Sequence, residues 1–179
     1  MENDGKKKRN SMIDETLHLI RFQKEDLDEL MEIYISARKR KFCPWTEEYP
    51  TREIIEMDIE KGNLYGFRNE TGKIIASIAK DCDEQVDGLA FWGKELQPAA
   101  EVARVVVAPG YEGRGIARML IRGMMAELRK RGYKGIHYMV AEHNIPAVRS
   151  YAALGFSKAG ETDMYGEHYL CFEKMIKNQ

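Results

Sequence analysis

Residues 105–120, VVVAPGYEGRGIARML, join a run of β-branched residues to a glycine-containing turn and then to an amphipathic stretch. The valine run predicts a strand, because β-branched side chains favour extended backbone. Gly113 and Gly115 let the backbone turn tightly and approach an anion closely. The first amides of the helix that follows have no intrahelical acceptors, so a phosphate group can accept their hydrogen bonds. The stretch therefore predicts a strand, an anion-binding turn and a helix in succession.

The turn alone is weak evidence for a ligand, because many strand-to-helix connections contain two glycines and bind nothing. Its spacing also differs from the two common nucleotide-binding motifs. Residues 112–117 do not read G-x-G-x-x-G, and no Gly-Lys-Ser/Thr follows them. Dinucleotide-binding and NTP-binding proteins are therefore disfavoured, and an ordinary tight turn remains an alternative at this point.

Composition narrows the class of protein. The chain has 179 residues, of which 44% are hydrophobic, as expected for one compact α/β domain. Its 28 basic and 29 acidic residues give a net charge of -1, which provides no overall attraction to nucleic acid or to an acidic membrane. No segment approaches the ~18 consecutive apolar residues of a membrane helix. Cys43, Cys82 and Cys171 are an odd number without paired spacing, which favours reduced thiols. We expect a cytoplasmic protein without nucleic-acid or membrane partners.

The N-terminal residues 1–14 are polar and charged, and they predict a disordered tail in front of a domain that spans residues 15–179. Lys6, Lys7, Lys8 and Arg9 form a basic cluster that is able to contact a polyanion, but such a cluster is usually a solvated terminus. A nucleic-acid-binding function would rest on this cluster alone.

Hydrophobic periodicity predicts the element order β-α-α-β-β-β-α-β-α-β-β. The predicted strands cover residues 17–22, 63–68, 73–80, 102–107, 135–141, 156–162 and 168–174. The predicted helices cover residues 26–37, 51–61, 115–131 and 145–154. Hairpins at both ends and a strand–helix–strand crossover in the middle predict a mixed sheet with helices on its faces.

A second motif follows the glycine turn and makes the pattern more specific. The two motifs read Val107-x-Pro109-x-x-Glu112-Gly113-Arg114-Gly115-Ile116-Ala117 and Asn144-x-x-Ala147-x-x-x-Tyr151-x-x-x-Gly155-Phe156. Together they resemble the two diagnostic motifs of the GNAT acyl-CoA-dependent N-acyltransferases, and the element order agrees with that family over residues 15–177. Two separated motifs in the right order are more specific than either motif alone.

The resemblance implies the GNAT fold, an α/β fold with a single mixed, mostly antiparallel, twisted sheet of about seven strands and helices on both faces. It also implies acetyl-CoA as cosubstrate, with its pyrophosphate against the amides of residues 113–118 and its pantetheine arm paired with residues 105–107 like an added strand. The residues to which the resemblance assigns cofactor binding are Val105, Val106, Val107, Glu112, Gly113, Arg114, Gly115, Ile116, Ala117, Arg118, Asn144, Ala147 and Tyr151. One residue departs from the family pattern: the loop usually begins with Gln or Arg, and the carboxylate of Glu112 disfavours a nearby pyrophosphate unless it turns outward.

The same resemblance implies an N-acetyltransferase in which a primary amine attacks the thioester directly, without an acyl-enzyme. Glu101 is the candidate general base, because the histone-acetylating branch of the family keeps a catalytic glutamate at the matching position. Tyr151 is the candidate general acid, and a backbone amide near Val105 or Val106 is the candidate oxyanion donor. The alternatives are a surface carboxylate at Glu101 and a core aromatic at Tyr151, while Asn144 also suits a helix cap.

Of the properties predicted here, the acceptor substrate is the one that the sequence defines least. The family position of the acceptor site brings in Trp45, Tyr49 and Tyr165, with Phe42 beside them, and the alternative is that Trp45 and Tyr49 cover the core beneath a loop. These aromatic residues suit a cationic amine together with the nearby carboxylates Glu47, Glu48 and Glu167. A small amine, an antibiotic, an amino acid and a protein amine all remain open as acceptors.

No carboxylate or thiol spacing around His137 or His143 indicates a metal site, so we expect no metal. A homodimer remains open. The alternative function, from another class, is a catalytically inactive CoA-binding sensor or interaction module.

Overall fold

The computed structural model describes residues 17–176, so the predicted tail at residues 1–14 and its basic cluster lie outside the described residues. The strands are β1 (Ile20–Arg21), β2 (Leu64–Arg68), β3 (Ile74–Lys80), β4 (Ala99–Val107), β5 (Gly135–Ala141), β6 (Ser157–Met164) and β7 (Glu167–Met175). They form one sheet of seven strands in the order β1-β2-β3-β4-β5-β7-β6. Every neighbouring pair is antiparallel except β4 and β5, which are parallel. The predicted mixed, mostly antiparallel sheet is confirmed.

The helices are α1 (Leu27–Arg38), α2 (Arg52–Glu60), α3 (Glu84–Asp87), α4 (Ile116–Lys130) and α5 (Ile145–Ala152). Four of them were predicted, with ends within two residues of those observed. The sequence missed α3, because four residues are too short to show a helical period. It also placed the first strand at residues 17–22, whereas only Ile20 and Arg21 pair with β2, and it started β4 three residues too late.

Helices cover both faces of the sheet, as predicted. On one face, α4 buries Ile116, Leu120 and Met124 in an apolar cluster that also contains Tyr151 of α5. On the other face, α1 and α2 contribute to a second apolar cluster, which includes Leu30. The repeat of buried residues at three- and four-residue steps explains why these segments fold as half-buried helices.

The parallel ladder between β4 and β5 is short, and the two strands separate after it. Ala99, Ala100 and Glu101 pair with Gly135, Ile136 and His137, and no later pair joins the strands within the described residues. Beyond Glu101, β4 continues beside β3 and β5 continues beside β7. The backbone of residues 102–107 therefore has no strand partner on the side of β5, and a fork opens there.

Arg104 anchors β4 next to this fork. The ladder between β3 and β4 pairs Ser77 with Val106 and Ala79 with Ala103, so Arg104 and Val105 face the single residue Ile78 in a β-bulge. Arg104 has φ 53, a left-handed conformation that is rare for a residue with a long side chain. The Tyr34 hydroxyl donates a hydrogen bond to the carbonyl oxygen of Arg104 at 3.0 Å.

The guanidinium of Arg104 is buried and bonded to two carboxylates and a phenol. Its Nε and Nη2 donate to the two carboxylate oxygens of Asp58 at 2.8 and 3.0 Å. Its Nη1 donates to Asp81 at 2.6 Å and to the hydroxyl of Tyr49 at 3.0 Å. The side chain of Arg104 is only 3% exposed, so these bonds replace its lost hydration. They tie β4 to α2, to the end of β3 and to the loop before α2.

Replacing Arg104 with Met should destabilise the fold strongly, because it leaves the carboxylates of Asp58 and Asp81 unpaired, the first of them buried. We expect R104M to lose about 3–5 kcal/mol of unfolding free energy in denaturant titrations. Arg52→Met is the matched control, since it breaks an exposed pair with Asp28 and should cost no more than about 1 kcal/mol. Equal losses in the two variants would contradict an anchoring role for Arg104.

Candidate functional site

A cavity of about 720 Å³ lies in the fork between β4 and β5. Its walls include residues 102–106 of β4 and residues 138–141 of β5, the parts of the two strands that have separated. Ala147 and Tyr151 of α5 and the N-cap residue Asn144 close one side, and the loop before α2 closes another. The cavity is therefore a direct consequence of the short parallel ladder.

Glu101 lies at the base of the fork, where the last pair of the parallel ladder is formed. It is 5% exposed, and its Oε2 atom has no hydrogen-bond partner among the described residues. Burial raises the pKa of the Glu101 carboxyl to about 9, and the negative charges of Asp81, Asp87 and Asp83 add to the shift. Glu101 is thus a buried cavity carboxyl, and not the exposed surface residue of the alternative interpretation.

Tyr151 lines the cavity and also packs in the core, so both interpretations of this residue from the sequence describe part of its environment. Burial alone raises the pKa of its hydroxyl, which keeps the proton on the oxygen at neutral pH. Its ring lies 4.1 Å, centroid to centroid, from the ring of Tyr138 on β5. The Tyr138 hydroxyl is buried and has no hydrogen-bond partner among the described residues. The sequence did not single out Tyr138.

The glycine turn follows β4 and has the backbone conformation that the sequence predicted for it. Gly113 and Gly115 have φ values of 71 and 79°, which favour glycine. Helix α4 begins directly after Gly115, no side chain caps it, and the amides of residues 116–118 have no intrahelical acceptors. An anion at this helix start would accept those hydrogen bonds and interact favourably with the helix dipole.

Glu112, the residue that departs from the family pattern, is held by two contacts. Its Oε1 lies 2.9 Å from Nη2 of Arg40, and its Oε2 accepts a hydrogen bond from the Gly110 amide at 2.8 Å. Arg40 also donates to the carbonyl oxygen of Val107 at 2.6 Å. The charge of the Glu112 carboxylate is therefore partly neutralised at the end of β4.

The residues proposed to bind the cofactor fall into two groups. Those that line the cavity are Val105, Val106, Asn144, Ala147 and Tyr151. Those that lie beyond it, at the end of β4 and around the glycine turn, are Val107, Glu112, Gly113, Arg114, Gly115, Ile116, Ala117 and Arg118. The Ile116 side chain is buried in the core, so only the backbone of this residue is available to a ligand. Asn144 caps α5 through a bond from the Ala147 amide at 3.4 Å.

The two arginines of the turn have different surroundings, although both are exposed. The Arg114 guanidinium lies over the ring of Tyr111 at 5.1 Å. The Arg118 guanidinium folds back toward the helix start, since its Nη2 would lie 3.4 Å from a Cβ atom at Gly115. Both charges are close to the turn in sequence and are available to an anion there.

The opposite end of the cavity is aromatic and acidic. Trp45, Tyr49 and Tyr165 all line it, as the family resemblance implied. Trp45 also packs on Tyr34 of the second core cluster, with ring centroids 5.6 Å apart, so its core-covering role is present as well. The carboxylates that line the cavity are Glu48, Asp81, Asp83, Glu101 and Glu167, whereas Glu47 does not line it. The sequence missed Asp81 and Asp83, which follow β3 outside any motif.

The described residues also show how the potential metal ligands, the cysteines and His137 are placed. Residues 17–176 contain no group of three or more His, Cys, Asp or Glu side chains placed to hold a metal ion. Cys43, Cys82 and Cys171 are free, and burial raises the pKa of the Cys43 thiol, which lines the cavity. His137 bonds to Asp87 at 2.9 Å and stacks on Trp92. No helix in this range is long and apolar enough to cross a membrane.

Sequence comparisons relate the chain to known proteins. An uncharacterized N-acetyltransferase, MJ1207 of Methanocaldococcus jannaschii, is 28% identical over 146 residues, covering 75% of this chain and 58% of that protein. Mycothiol acetyltransferase of Thermobifida fusca is 39% identical over 129 residues, covering 72% and 35%. Streptothricin acetyltransferase of Streptomyces lavendulae is 36% identical over 117 residues, covering 59% and 60%. The chain thus spans 35% to 60% of the length of these relatives.

Solved structures share the fold at low sequence identity. A GNAT-family acetyltransferase of Streptococcus agalactiae has a TM-score of 0.75 at 19% identity, covering 91% of this chain and 96% of that one. PaiA N-acetyltransferase of Thermoplasma acidophilum, solved in complex with coenzyme A, has a TM-score of 0.68 at 19% identity, covering 89% and 99%. The family described as "Acetyltransferase (GNAT) family" matches residues 27–156. A match of this extent, on this sheet and these motifs, shows that the chain belongs to the GNAT acetyltransferase family.

Proposed function

We propose that the chain is an N-acetyltransferase that moves an acetyl group from acetyl-CoA to a primary amine by direct attack. The observation that carries the proposal is the fork, where Glu101, Tyr151 and the unpaired edge of β4 border one cavity. Family membership and the acetyltransferases among the relatives support the same chemistry. A CoA-binding sensor would need the cofactor surface alone, so two buried titratable groups in the cavity favour an enzyme.

In this proposal acetyl-CoA binds mainly to the backbone. The pantetheine arm lies along the free edge of β4, where residues 105–107 pair with it as they would with an added strand. The pyrophosphate lies at the start of α4 against the amides of residues 113–118, and Arg114 and Arg118 add charge. Arg40 partly neutralises Glu112, which reduces the repulsion between this carboxylate and a nearby phosphate.

The reaction forms an N–C bond and breaks a C–S bond. The amine nitrogen attacks the thioester carbon, and Glu101 accepts the proton that the nitrogen loses, directly or through water. An amide of Val105 or Val106 donates a hydrogen bond to the developing oxyanion. Tyr151 donates a proton to the departing sulfur, so the second product is the free thiol of CoA. The raised pKa of the Cys43 thiol disfavours a thiolate relay, which supports direct attack.

The pKa values of the two catalytic candidates suit these roles in different ways. With a pKa of about 9, Glu101 is mostly protonated in the free protein at neutral pH. A cationic amine beside it lowers that pKa and favours the carboxylate, which is then able to accept a proton from the amine. Burial keeps Tyr151 protonated, so its hydroxyl is available to hydrogen-bond the sulfur as negative charge develops there.

Removing either catalytic candidate should slow acetyl transfer. In a thiol-release assay with acetyl-CoA and a panel of amines that includes peptides, Glu101→Gln and Tyr151→Phe should each lower kcat by roughly a hundredfold or more, because each removes a proton-transfer group. Tyr138→Phe and Glu84→Gln are the matched controls. The first removes a hydroxyl from the adjacent ring, and the second removes an exposed charge that does not line the cavity. Both controls should stay within about twofold of the parent rate.

The outcomes of this assay separate the assignments. Full activity of E101Q and Y151F would overturn the roles of both residues, and loss of activity in Y138F alone would transfer the acid role to Tyr138. Measurable CoA binding without thiol release from any acceptor would favour the sensor.

A bulky residue at Gly115 should abolish CoA binding, because it distorts the turn that presents the helix amides to the pyrophosphate. Gly115→Val is compared with Gly132→Val, which puts the same strain on a glycine of φ 86° at the other end of α4. In titration calorimetry we expect G115V to bind CoA at least about a hundredfold more weakly, and G132V to bind it normally. Normal affinity in a folded G115V would overturn the pyrophosphate assignment.

A further inference from the structure

The charges that line the cavity do not balance. Its lining contains the carboxylates Glu48, Asp81, Asp83, Glu101 and Glu167 and the cations Arg40 and Arg104. Arg40 binds Glu112 outside the lining at 2.9 Å, whereas Arg104 binds Asp58 outside the lining at 2.8 Å and Asp81 within it at 2.6 Å. Glu101 is mostly protonated in the free protein, but Glu48, Asp83 and Glu167 pair with neither arginine. The lining therefore has more carboxylates than its own arginines neutralise, and a cationic ligand would lower the free energy of this arrangement.

The innermost carboxyl group of this acidic lining, that of Glu101, is buried and lacks a partner for one oxygen. Glu101 is only 5% exposed, and its Oε2 atom lacks a hydrogen-bond partner among the described residues. A buried polar atom without a partner is costly, so this oxygen is suited to a donor that arrives with the ligand. In the proposed function that donor is the reacting amine.

The outer part is formed by Asp83 and Tyr165 at the mouth of the cavity. Tyr165 lies in the turn between β6 and β7, where it and Gly166 both have positive φ, at 53 and 76°. Such turns favour Asn or Gly at the first position, and a tyrosine there costs conformational energy. Tyr165 is 61% exposed, and its hydroxyl donates a hydrogen bond to Asp83, which lies 82 residues earlier in the sequence.

Asp83 has no cationic partner at this position among the described residues. Its Oδ1 accepts a hydrogen bond from the Gln85 amide at 2.9 Å, and none of the ion pairs among the described residues includes it. A carboxylate beside the ring of an exposed tyrosine is a favourable environment for an ammonium group, since both the charge and the ring face attract a cation. The mouth therefore offers a second cation position, separate from Glu101.

We propose that the acceptor is a dicationic amine: one amine reacts at Glu101 while a second ammonium group binds beside the hydrogen-bonded pair of Asp83 and Tyr165. This inference rests on the proposed acetyltransferase function and specifies its acceptor. An aliphatic chain between the two nitrogens would contact the aromatic walls formed by Trp45, Tyr49 and Tyr169. The simplest compounds of this class are linear aliphatic diamines.

The second cation would also assist the chemistry. Asp83 is one of the carboxylates whose negative charge raises the pKa of Glu101. A cation bound to Asp83 offsets that charge, so the Glu101 carboxylate forms more readily when the correct acceptor is present. The proposed position thus couples recognition of the distal ammonium group to the protonation state of the general base.

The test compares acceptors of equal length and different charge at saturating acetyl-CoA. We would measure kcat/KM for thiol release with 1,4-diaminobutane, 1-aminobutane and 4-aminobutanoate, and repeat the comparison with chains of three, five and six carbons. The best diamine should exceed its monoamine by at least about tenfold, because one well-placed ion pair is worth that factor, and the amino acid should be the poorest acceptor. Added salt should reduce the preference for the diamine.

Asp83→Asn then tests the position of the second cation. Asparagine also caps helices well, so α3 should be retained. We expect D83N to lower the ratio of diamine to monoamine kcat/KM toward one, mainly through a higher KM for the diamine. Glu84→Gln removes the neighbouring exposed carboxylate, which does not line the cavity, and should leave the ratio as in the parent protein.

Two results would overturn the inference: equal activity with diamines and monoamines, or a diamine-to-monoamine ratio in D83N that equals that of the parent protein. Each of them leaves the acetyltransferase proposal standing. Absence of thiol release with every amine and peptide would instead refute the proposed function itself.

Discussion

The separation of β4 from β5 after three residue pairs is the constraint on which the rest of the site depends. Backbone donors and acceptors need hydrogen-bond partners. At a strand edge without a neighbouring strand, these groups can bond only to water or to a ligand. The fork therefore creates both a cavity and a row of backbone groups along residues 102–107. PaiA N-acetyltransferase of Thermoplasma acidophilum, which shares this fold, was solved in complex with coenzyme A. In this chain the fork also brings Glu101 and Tyr151 to the same cavity, although they are far apart in the sequence.

The pKa of Glu101 depends on which groups the buried side chain of Arg104 binds. Arg104 lies three residues after Glu101 on β4, and it opposes the upward shift of the Glu101 pKa. Its donors, however, are occupied by Asp58, Asp81 and Tyr49. A direct ion pair with Arg104 would hold Glu101 ionised and weakly basic. Because the guanidinium is committed elsewhere, Glu101 stays buried with a pKa near that of an amine, which suits proton exchange with an amine acceptor.

Local sequence signals predicted the elements whose ends are marked by residues that interrupt helices or strands, such as glycine. Residues 135–141 were predicted as a strand and form β5, and α4 lies between Gly115 and Gly132, both of which have positive φ. The start of β4 was missed because it depends on pairing with β5, which lies more than 30 residues away. Glu101 and Tyr151 were proposed through a family resemblance, since neither has a distinctive local pattern, and the structure places both in the lining of the cavity. Arg104 and Asp83 were not found, because their partners are 46 and 82 residues distant.

The departure at Glu112 shows how a local mismatch is compensated by a distant residue. A carboxylate at the start of a phosphate-binding turn repels the ligand unless its charge is neutralised. Arg40, two residues after the end of α1, contacts both Glu112 and the carbonyl oxygen of Val107, and it also lines the cavity. It lies in the same loop as Trp45 and Tyr49. The Arg40 guanidinium thus connects the turn proposed for the pyrophosphate with the loop proposed for the acceptor.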